Sequence, residues 1–324
     1  MDERLLFDLV ISRLLGVNPR EKVRLCMEFE PAGEWERLSR EDLEFFLGRS
    51  LDQVPRDMGE LWAQAERDRR ALQIRGIAVV SILSSRYPPL LRELWDPPAI
   101  LFYRGILPDP EKPLAAVVGT RRPTQGALAQ AYRLSRDLGE AGVPVVSGLA
   151  LGIDAMAHRG NLDGGAPTVA VLGSSPDEIY PGANRLLARR LLSQGGALLS
   201  EYPPGTSPRK WTFPARNRII SGIARGTVIV EAPAASGALI TARFALDQSR
   251  DFWVASAGVE SPRGAGTAKL AGEGAAVLTG AADILEDWGI GGSEKAPPAE
   301  LVAAGGACGA DLASSMARTL KITL

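Results

Sequence analysis

The chain contains 324 residues, of which 45% are hydrophobic and 23% are charged, a composition that excludes a disordered or collagen-like chain. The length is consistent with two domains, and two cysteines with a single histidine cannot supply a structural zinc site or a disulfide framework. No segment approaches the roughly 20 apolar residues that span a bilayer. The acidic start lacks the basic region of a signal peptide, so we expect a cytoplasmic protein without membrane contact.

Charge is nearly balanced over the whole chain but is unevenly distributed along it. Residues 113–230 carry 13 basic and seven acidic side chains. No acidic residue lies between Glu201 and Glu231, whereas that interval contains Arg209, Lys210, Arg216, Arg218 and Arg225. Such a stretch is either a solvated surface or a contact for a polyanion, and composition alone leaves both interpretations open.

The first 75 residues predict a small helical domain. Apolar residues recur at helical spacing near the start, and Ser39 precedes the acidic first turn of another helix. A third helical stretch, rich in charge, covers residues 58–74. Apolar runs at residues 77–82 and 100–103, framed by proline-rich turns, then predict two short strands.

From Leu114 onward, short apolar runs alternate with helical segments, a pattern typical of a parallel sheet with crossover helices. The predicted strands cover residues 114–118, 143–146, 168–172, 197–199, 227–230 and 252–255. The predicted helices cover residues 125–141, 154–162, 183–193, 215–223 and 236–248. The sequence therefore predicts an α/β fold with a doubly wound, mostly parallel sheet over residues 76–288, preceded by the helical domain 1–75. Residues 289–324, rich in Gly, Ala and Pro, are interpreted as a flexible tail.

Several loops that follow these strands suit an anionic ligand. In open α/β sheets, ligands bind beyond the carboxyl ends of the strands, where backbone amides and helix N-termini point at them. Gly-containing turns occur after residues 118, 146 and 230, and the first of them also carries Arg121 and Arg122. Thr124 is predicted as the N-cap of the next helix. Any one such turn is equally consistent with simple tight loop geometry.

Other candidate residues have ordinary structural explanations. Asp154 is interpreted first as a helix cap, and His158 as a hydrogen-bonded structural histidine. Tyr180 and Trp211 are candidates for stacking on bases or for packing at the rim of the sheet. The chain has no phosphate-binding loop of the G-x-x-x-x-G-K type, no nucleophile elbow and no G-x-G-x-x-G after the first strand of the parallel sheet, which argues against an ATPase, a serine hydrolase and a dinucleotide oxidoreductase.

Over residues 80–280, the turns taken together resemble a known family, the DNA-processing protein A (DprA, or Smf) family of bacteria. The motifs that carry the resemblance follow in order: Tyr87-Pro88, Val118-Gly119-Thr120-Arg121, Ser147 to Asp154, Ala157-His158, Tyr180-Pro181, Leu199-Ser200-Glu201, Phe213 to Ile220, Val230-Glu231-Ala232 and Ser236 to Ala242.

The resemblance implies a non-enzymatic, cofactor-free protein that binds single-stranded DNA. It implies that the protein protects incoming DNA during natural transformation, loads the RecA recombinase and forms a homodimer through its Rossmann-like domain. It also implies an extended Rossmann-like fold after a sterile-alpha-motif-like helical domain. We expect no counterpart of the family's optional winged helix in the predicted tail.

The resemblance also implies which residues contact DNA, with no catalytic residue and no metal ligand. These candidates are Gly119, Thr120, Arg121, Arg122, Ser147, Gly148, Gly152, Arg185, Arg216, Asn217, Arg218, Ser236 and Gly237. Some members have a phosphate-binding lysine after the Tyr-Pro pair; here that position is Gly182, and Arg185 is its candidate substitute. The chain departs from the family again at Ala257 and Ala268.

Two alternatives remain open at this point, an enzyme and a purely structural adaptor. The wider group of Rossmann-like proteins includes nucleotide phosphoribohydrolases, and Glu201 or Glu231 beside glycine turns could polarise a water molecule. The set of Arg121, Arg216 and Arg218 without an adjacent second carboxylate favours DNA binding over hydrolysis.

Overall fold

The computed structural model describes residues 2–29 and 39–290. It begins with four helices: α1 (Asp2–Arg13), α2 (Pro19–Glu28), α3 (Arg40–Leu47) and α4 (Gly59–Arg75). Capping boxes begin two of them, because Asn18 and Glu21 at α2, and Ser39 and Asp42 at α3, exchange backbone and side-chain hydrogen bonds. The helix start that we predict at Ser39 is confirmed.

The strands within the described residues join one nine-stranded sheet. They are β1 (Ala78–Ser81), β2 (Ile100–Gly105), β3 (Ala115–Val118), β4 (Val145–Ser147), β5 (Val169–Val171), β6 (Ala197–Ser200), β7 (Gly226–Ile229), β8 (Asp251–Ala255) and β9 (Ala276–Leu278). Their order is β1-β2-β6-β5-β4-β3-β7-β8-β9. All neighbouring pairs among the seven strands β3 to β9 are parallel, whereas β2 is antiparallel to both β1 and β6.

The helices after β1 complete the layers on the sheet. They are α5 (Pro89–Arg92), α6 (Gln125–Glu140), α7 (Ile153–Asp163), α8 (Arg185–Ser193), α9 (Thr212–Ile223), α10 (Ala238–Asp247), α11 (Ser256–Val259), α12 (Ala265–Gly272) and α13 (Ala281–Trp288). Thr124 caps α6 as predicted, since its side chain accepts a hydrogen bond from the backbone N–H of Ala127. Each of the six predicted parallel strands and five crossover helices has its counterpart. The predicted α/β fold with a mostly parallel, doubly wound sheet is confirmed.

The direction of chain winding reverses at β3. The chain proceeds outward from β3 through β4, β5 and β6, and then returns to the other side of β3 for β7, β8 and β9. The loop after β3 therefore runs toward β4, and the loop after β7 runs in the opposite direction toward β8. A crevice remains between the two loops. This switch point is where the physics of α/β sheets predicts a ligand.

One apolar core continues from the N-terminal helices into the sheet, from Phe7 to Val254. The domain boundary that we predict near residue 75 stays a prediction, and so does the boundary at residue 288. Residues 291–324, which contain most of the predicted tail, lie outside the described residues. In the part of the chain that is described, no helix is both long and apolar enough to cross a bilayer.

Candidate nucleic-acid-binding groove

An open groove with a volume of about 1120 Å³ lies at the switch point. Its walls come from the loops after β3 and β7, from α9, from the start of α10 and from the turn between α11 and α12, with single residues from the loops after β4, β5 and β6 and from the start of α7. Eight of the residues proposed from the sequence line it: Gly119, Thr120, Arg121, Arg122, Arg216, Asn217, Ser236 and Gly237. The sheet therefore brings together side chains more than 100 positions apart in the sequence.

The groove is strongly cationic. Among the described residues, its lining contains one carboxylate, that of Asp154, and five basic side chains: Arg121, Arg122, Lys210, Arg216 and Arg263. All of the basic residues except Arg216 are exposed. A concave surface with this excess of positive charge attracts an extended anion.

Arg121 lies beside an aromatic pair. Its guanidinium carbon is 5.6 Å from the centroid of the Phe213 ring, and that ring centroid is 5.5 Å from the centroid of the Tyr180 ring. The Tyr180 side chain is 47% exposed. Cations and exposed ring faces at one wall are the two elements with which proteins hold the phosphates and bases of a single strand.

Arg216 has a different environment, because its side chain is buried beneath the groove. Its Nη1 donates to the carbonyl oxygen of Gly148 over 2.9 Å and also to the carbonyl oxygen of Val171. Burial lowers the pKa of Arg216 to about 10, an effect that the nearby Asp154 carboxylate opposes. Arg216 consequently stays charged at neutral pH and holds the ends of β4 and β5 together from below.

The carboxylate of Asp154 organises the loop that follows β4. It accepts hydrogen bonds from the backbone N–H groups of Gly148 at 3.1 Å and Ala150 at 3.4 Å. Burial raises the pKa of Asp154, whereas the positive charge of Arg216 and these backbone donors lower it. The N-cap of α7 is Gly152, so the interpretation of Asp154 as the helix cap is wrong: it lies in the first turn and reaches back to the preceding loop.

Glycines allow this loop to approach its neighbours. A Cβ atom at Gly148 would lie 2.6 Å from Nη2 of Arg216. Gly152 has φ of +80°, and a Cβ there would lie 2.5 Å from the carbonyl oxygen of Thr120. Both positions therefore require glycine for close packing beneath or beside the groove, although neither glycine lines the large groove itself.

The remaining predicted DNA contacts lie outside the groove lining. Ser147 is buried and donates from its hydroxyl to the carbonyl oxygen of Val117 over 2.7 Å. Arg218 is buried and pairs with Glu201 at 2.6 Å and Asp96 at 3.1 Å. Arg185 is exposed at the start of α8. Its guanidinium carbon lies close to Gly182, since a Cβ atom added to that glycine would be 3.9 Å away. Their assignment as DNA contacts stays a prediction.

Lys210, Phe213 and Arg263 line the groove but are absent from the predicted set of DNA-binding residues. Lys210 lies in the acid-free interval, so the charge pattern already marked its neighbourhood. Arg263 lies between α11 and α12, so a search of the residues directly after β8 does not reach it. Its Nη1 donates to the carbonyl oxygen of Arg122 over 3.4 Å, which joins two walls of the groove.

Glu231 is buried and holds the loops around the groove in place. Its Oε2 accepts a hydrogen bond from the backbone N–H of Thr124 at 2.7 Å, and its Oε1 accepts one from the Ser261 hydroxyl. Its backbone carbonyl also accepts from the N–H of Thr120 at 2.8 Å. Both carboxylate oxygens are therefore engaged in structural hydrogen bonds.

His158 is fully buried in α7 behind the groove. Its Nδ1 lies 2.8 Å from the hydroxyl oxygen of Thr168, and that hydroxyl donates to the carbonyl oxygen of Val145 at 2.6 Å. The hydroxyl proton is thus committed, so Nδ1–H donates to Thr168. Burial, followed by the positive charge of Arg216, lowers the pKa of His158 to about 3.

We expect the imidazole of His158 to stay neutral from pH 8 to pH 5. Because it is the chain's single histidine, its C2 proton gives one resolvable NMR signal, which should not shift over that range. In urea-unfolded protein the same signal should titrate near pH 6.5. Because the native pKa is below the unfolded one, stability from the neutral ring is lost as pH falls from 6.5 toward 3. A midpoint near 6.5 in the folded protein would contradict the buried geometry.

The fold and groove together define a Rossmann-like protein with a cationic, loop-built site at the carboxyl ends of its parallel strands. The family model for DNA recombination-mediator protein A matches residues 78–289. The chain therefore belongs to the DNA recombination-mediator protein A family, and the resemblance to DprA and Smf proteins is confirmed.

Individual relatives agree with that assignment. The chain is 36% identical to DNA processing protein DprA of Bacillus subtilis strain 168 over 234 residues, which covers 71% of this chain and 78% of that protein. It is 39% identical to protein Smf of Escherichia coli K12 over 208 residues, which covers 64% of this chain and 56% of that one.

Two solved structures share the architecture. The X-ray structure of DNA processing protein A from Streptococcus pneumoniae aligns with a TM-score of 0.72 at 31% identity and covers 89% of this chain and 98% of that one. A structure of DNA processing protein A from Helicobacter pylori, whose subject is a single-stranded DNA binding mode, aligns with a TM-score of 0.56 at 28% identity. It covers 65% of this chain and 95% of that chain.

Proposed function

We propose that this protein processes DNA by binding single-stranded DNA in the cationic groove, without chemical turnover. The observation that carries the proposal is the groove itself, where five basic side chains and one carboxylate line the switch point among the described residues. Membership of the recombination-mediator family supports the same function, as does the subject of the Helicobacter pylori structure.

The chemistry of the lining favours a single strand over a small anion or a duplex. The exposed cations at Arg121, Lys210 and Arg263 lie on three different loops, which suits successive phosphates along a chain. Phe213 and Tyr180 supply apolar ring faces beside Arg121. Bases can stack on such rings only when they are unpaired from a complementary strand.

The structure gives the enzymatic alternative little support. Glu231 uses both carboxylate oxygens for Thr124 and Ser261, and Glu201 pairs with the buried Arg218. Neither glutamate lines the large groove. A phosphoribohydrolase needs a carboxylate that can reach a water molecule beside its substrate.

We further propose that the bound strand is protected during natural transformation and handed to the RecA recombinase. Family membership supports this part of the function. A protein that passes DNA to a recombinase acts in the cytoplasm, and we propose that location.

We also propose that the protein is a homodimer, paired through its Rossmann-like domain. Light scattering at micromolar protein concentration should give twice the mass of the 34.5 kDa chain. A monomer mass that persists at high micromolar concentration would count against this assembly.

A competition experiment tests the proposed function. Labelled oligo(dT) bound to the protein at fixed salt should be displaced by unlabelled oligo(dT) at lower concentrations than by duplex of equal length or by mononucleotides. Oligonucleotides and mononucleotides should remain intact throughout the incubation. Preferential displacement by mononucleotides, accompanied by their hydrolysis, would favour the enzymatic alternative.

A further inference from the structure

The N-terminal helices contact two loops that form one wall of the groove. The β5 loop (residues 172–184) carries Tyr180, and the β6 loop (residues 201–211) carries Lys210. Both side chains line the groove, yet each loop is also bonded on its outer side to a helix of the N-terminal segment. The two loops therefore connect the groove to the N-terminal helices.

The first contact joins α4 to the β5 loop. Arg75, the last residue of α4, donates from Nη1 to Oδ2 of Asp177 over 2.5 Å, and the side chains are 44% and 19% exposed. The other carboxylate oxygen of Asp177 accepts a hydrogen bond from the Ser175 hydroxyl at 2.6 Å. Asp177 thereby connects the helix to the loop three residues before Tyr180.

The second contact joins α1 to the β6 loop. The Arg13 guanidinium donates to both carboxylate oxygens of the buried Asp68 at 2.8 Å, which holds it in a fixed orientation. Its Nη2 also donates to the carbonyl oxygen of Pro204 over 2.9 Å. Pro204 lies six residues before Lys210.

The two loops are bonded to each other as well. The backbone N–H of Ser175 donates to the carbonyl oxygen of Thr206 at 2.9 Å, and the Ser207 hydroxyl donates to Oε2 of Glu178 at 3.0 Å. A displacement of either loop would strain these bonds. Loss of either helical contact would consequently affect the position of both loops.

We infer that Arg75 and Arg13 are positioning residues for DNA binding, and that the N-terminal helices set the affinity of the groove without touching the strand. This inference rests on the proposed function. Loops already held in the binding conformation lose less conformational entropy when a ligand arrives, so their contacts contribute more of their free energy to affinity. Release of Asp177 or Pro204 weakens the grip of Tyr180 and Lys210 on the strand.

The test uses two substitutions in the full-length protein: Arg75→Gln removes a positive charge and Asp177→Asn removes a negative one. Arg13 is unsuitable because its loss would leave Asp68 buried without its partner. If the ion pair positions the loop, both variants should bind oligo(dT) about 2- to 5-fold more weakly, the range expected for one surface pair. If only the overall charge matters, Asp177→Asn removes a negative charge and should bind more tightly.

A charge swap and a matched control complete the experiment. The double variant of Arg75→Asp with Asp177→Arg keeps the net charge and should recover affinity. The pair of Arg190 and Asp163 has the same 2.5 Å separation and comparable exposure but joins α8 to α7. Asp163→Asn should therefore not weaken binding.

The outcomes separate the inference from the function beneath it. Equal or tighter binding by Asp177→Asn would overturn the positioning role, and affinity recovered by the swap would assign that role to the ion pair. Absence of binding by the unchanged protein would overturn the proposed function, and this inference with it. Melting temperatures of all variants show whether a loss of affinity reflects unfolding.

Discussion

Arg121→Ala should weaken the binding of oligo(dT) about 5- to 150-fold at fixed salt. A charge-assisted hydrogen bond from a guanidinium to a phosphate contributes about 1–3 kcal/mol, and each 1.4 kcal/mol changes affinity about tenfold. The slope of log affinity against log salt should flatten by about 0.7 for each phosphate of the single strand that the variant no longer neutralises. Fluorescence anisotropy over a series of salt concentrations measures both quantities.

The exposure of Arg121 makes this result specific. Its side chain projects over Phe213 at the groove wall, so its removal should leave the melting temperature nearly unchanged. Arg133→Ala is a suitable control, since Arg133 is exposed on α6 and does not line the groove. Unchanged affinity and salt slope in a folded Arg121→Ala protein would remove the centre of the proposed site.

Arg216→Met should act chiefly on folding, with a decrease of about 3–5 kcal/mol in the free energy of unfolding. Loss of a buried charge leaves its partner uncompensated, here Asp154, and also leaves the carbonyls of Gly148 and Val171 without their donor. Urea denaturation of the variant and the unchanged protein gives the difference directly.

The pH dependence of this loss has a definite sign. Burial raises the native pKa of Asp154, and removal of Arg216 should raise it further. A carboxyl whose native pKa exceeds its unfolded value binds more protons in the folded state, so stability falls as pH rises from about 4 toward the native pKa. The variant should therefore lose more stability at pH 8 than at pH 5.

Asp154→Asn added to Arg216→Met should recover part of the lost stability and remove the additional pH dependence. The neutral amide no longer needs a cation beneath the groove. Similar denaturation midpoints for Arg216→Met and the unchanged protein would show that the buried guanidinium contributes little to stability.

The sequence signals were strongest where apolar runs are regular. The sequence predicts the six parallel strands and their crossover helices because short apolar runs alternate with segments of helical periodicity. The sequence predicts no element over residues 256–278, since α11, α12 and β9 are short and consist largely of small residues, and two of the three residues in β9 are exposed. Their conformation depends on packing against the sheet edge, which a local sequence pattern does not encode.

Arg216 and Arg218 illustrate the limit for the site. The resemblance predicts that both contact DNA, but two side chains that are two positions apart on a helix point about 200° from each other. Arg216 consequently reaches Gly148 under the groove, whereas Arg218 pairs with Glu201 and Asp96 away from the groove lining. Helical periodicity could have separated them, whereas the identity of their partners could not be derived from the chain alone.

By itself the sequence determined the fold class, the family and the edge of the sheet where the candidate site lies. That was possible because parallel strands all end at one edge, so turns read after each strand must converge there. Only the tertiary structure decided which side chains face the groove, that Glu231 and Asp154 serve loop geometry, and that Arg263 and Lys210 join Arg121. Those facts depend on burial and on contacts between distant segments, which a linear pattern of residue types does not encode.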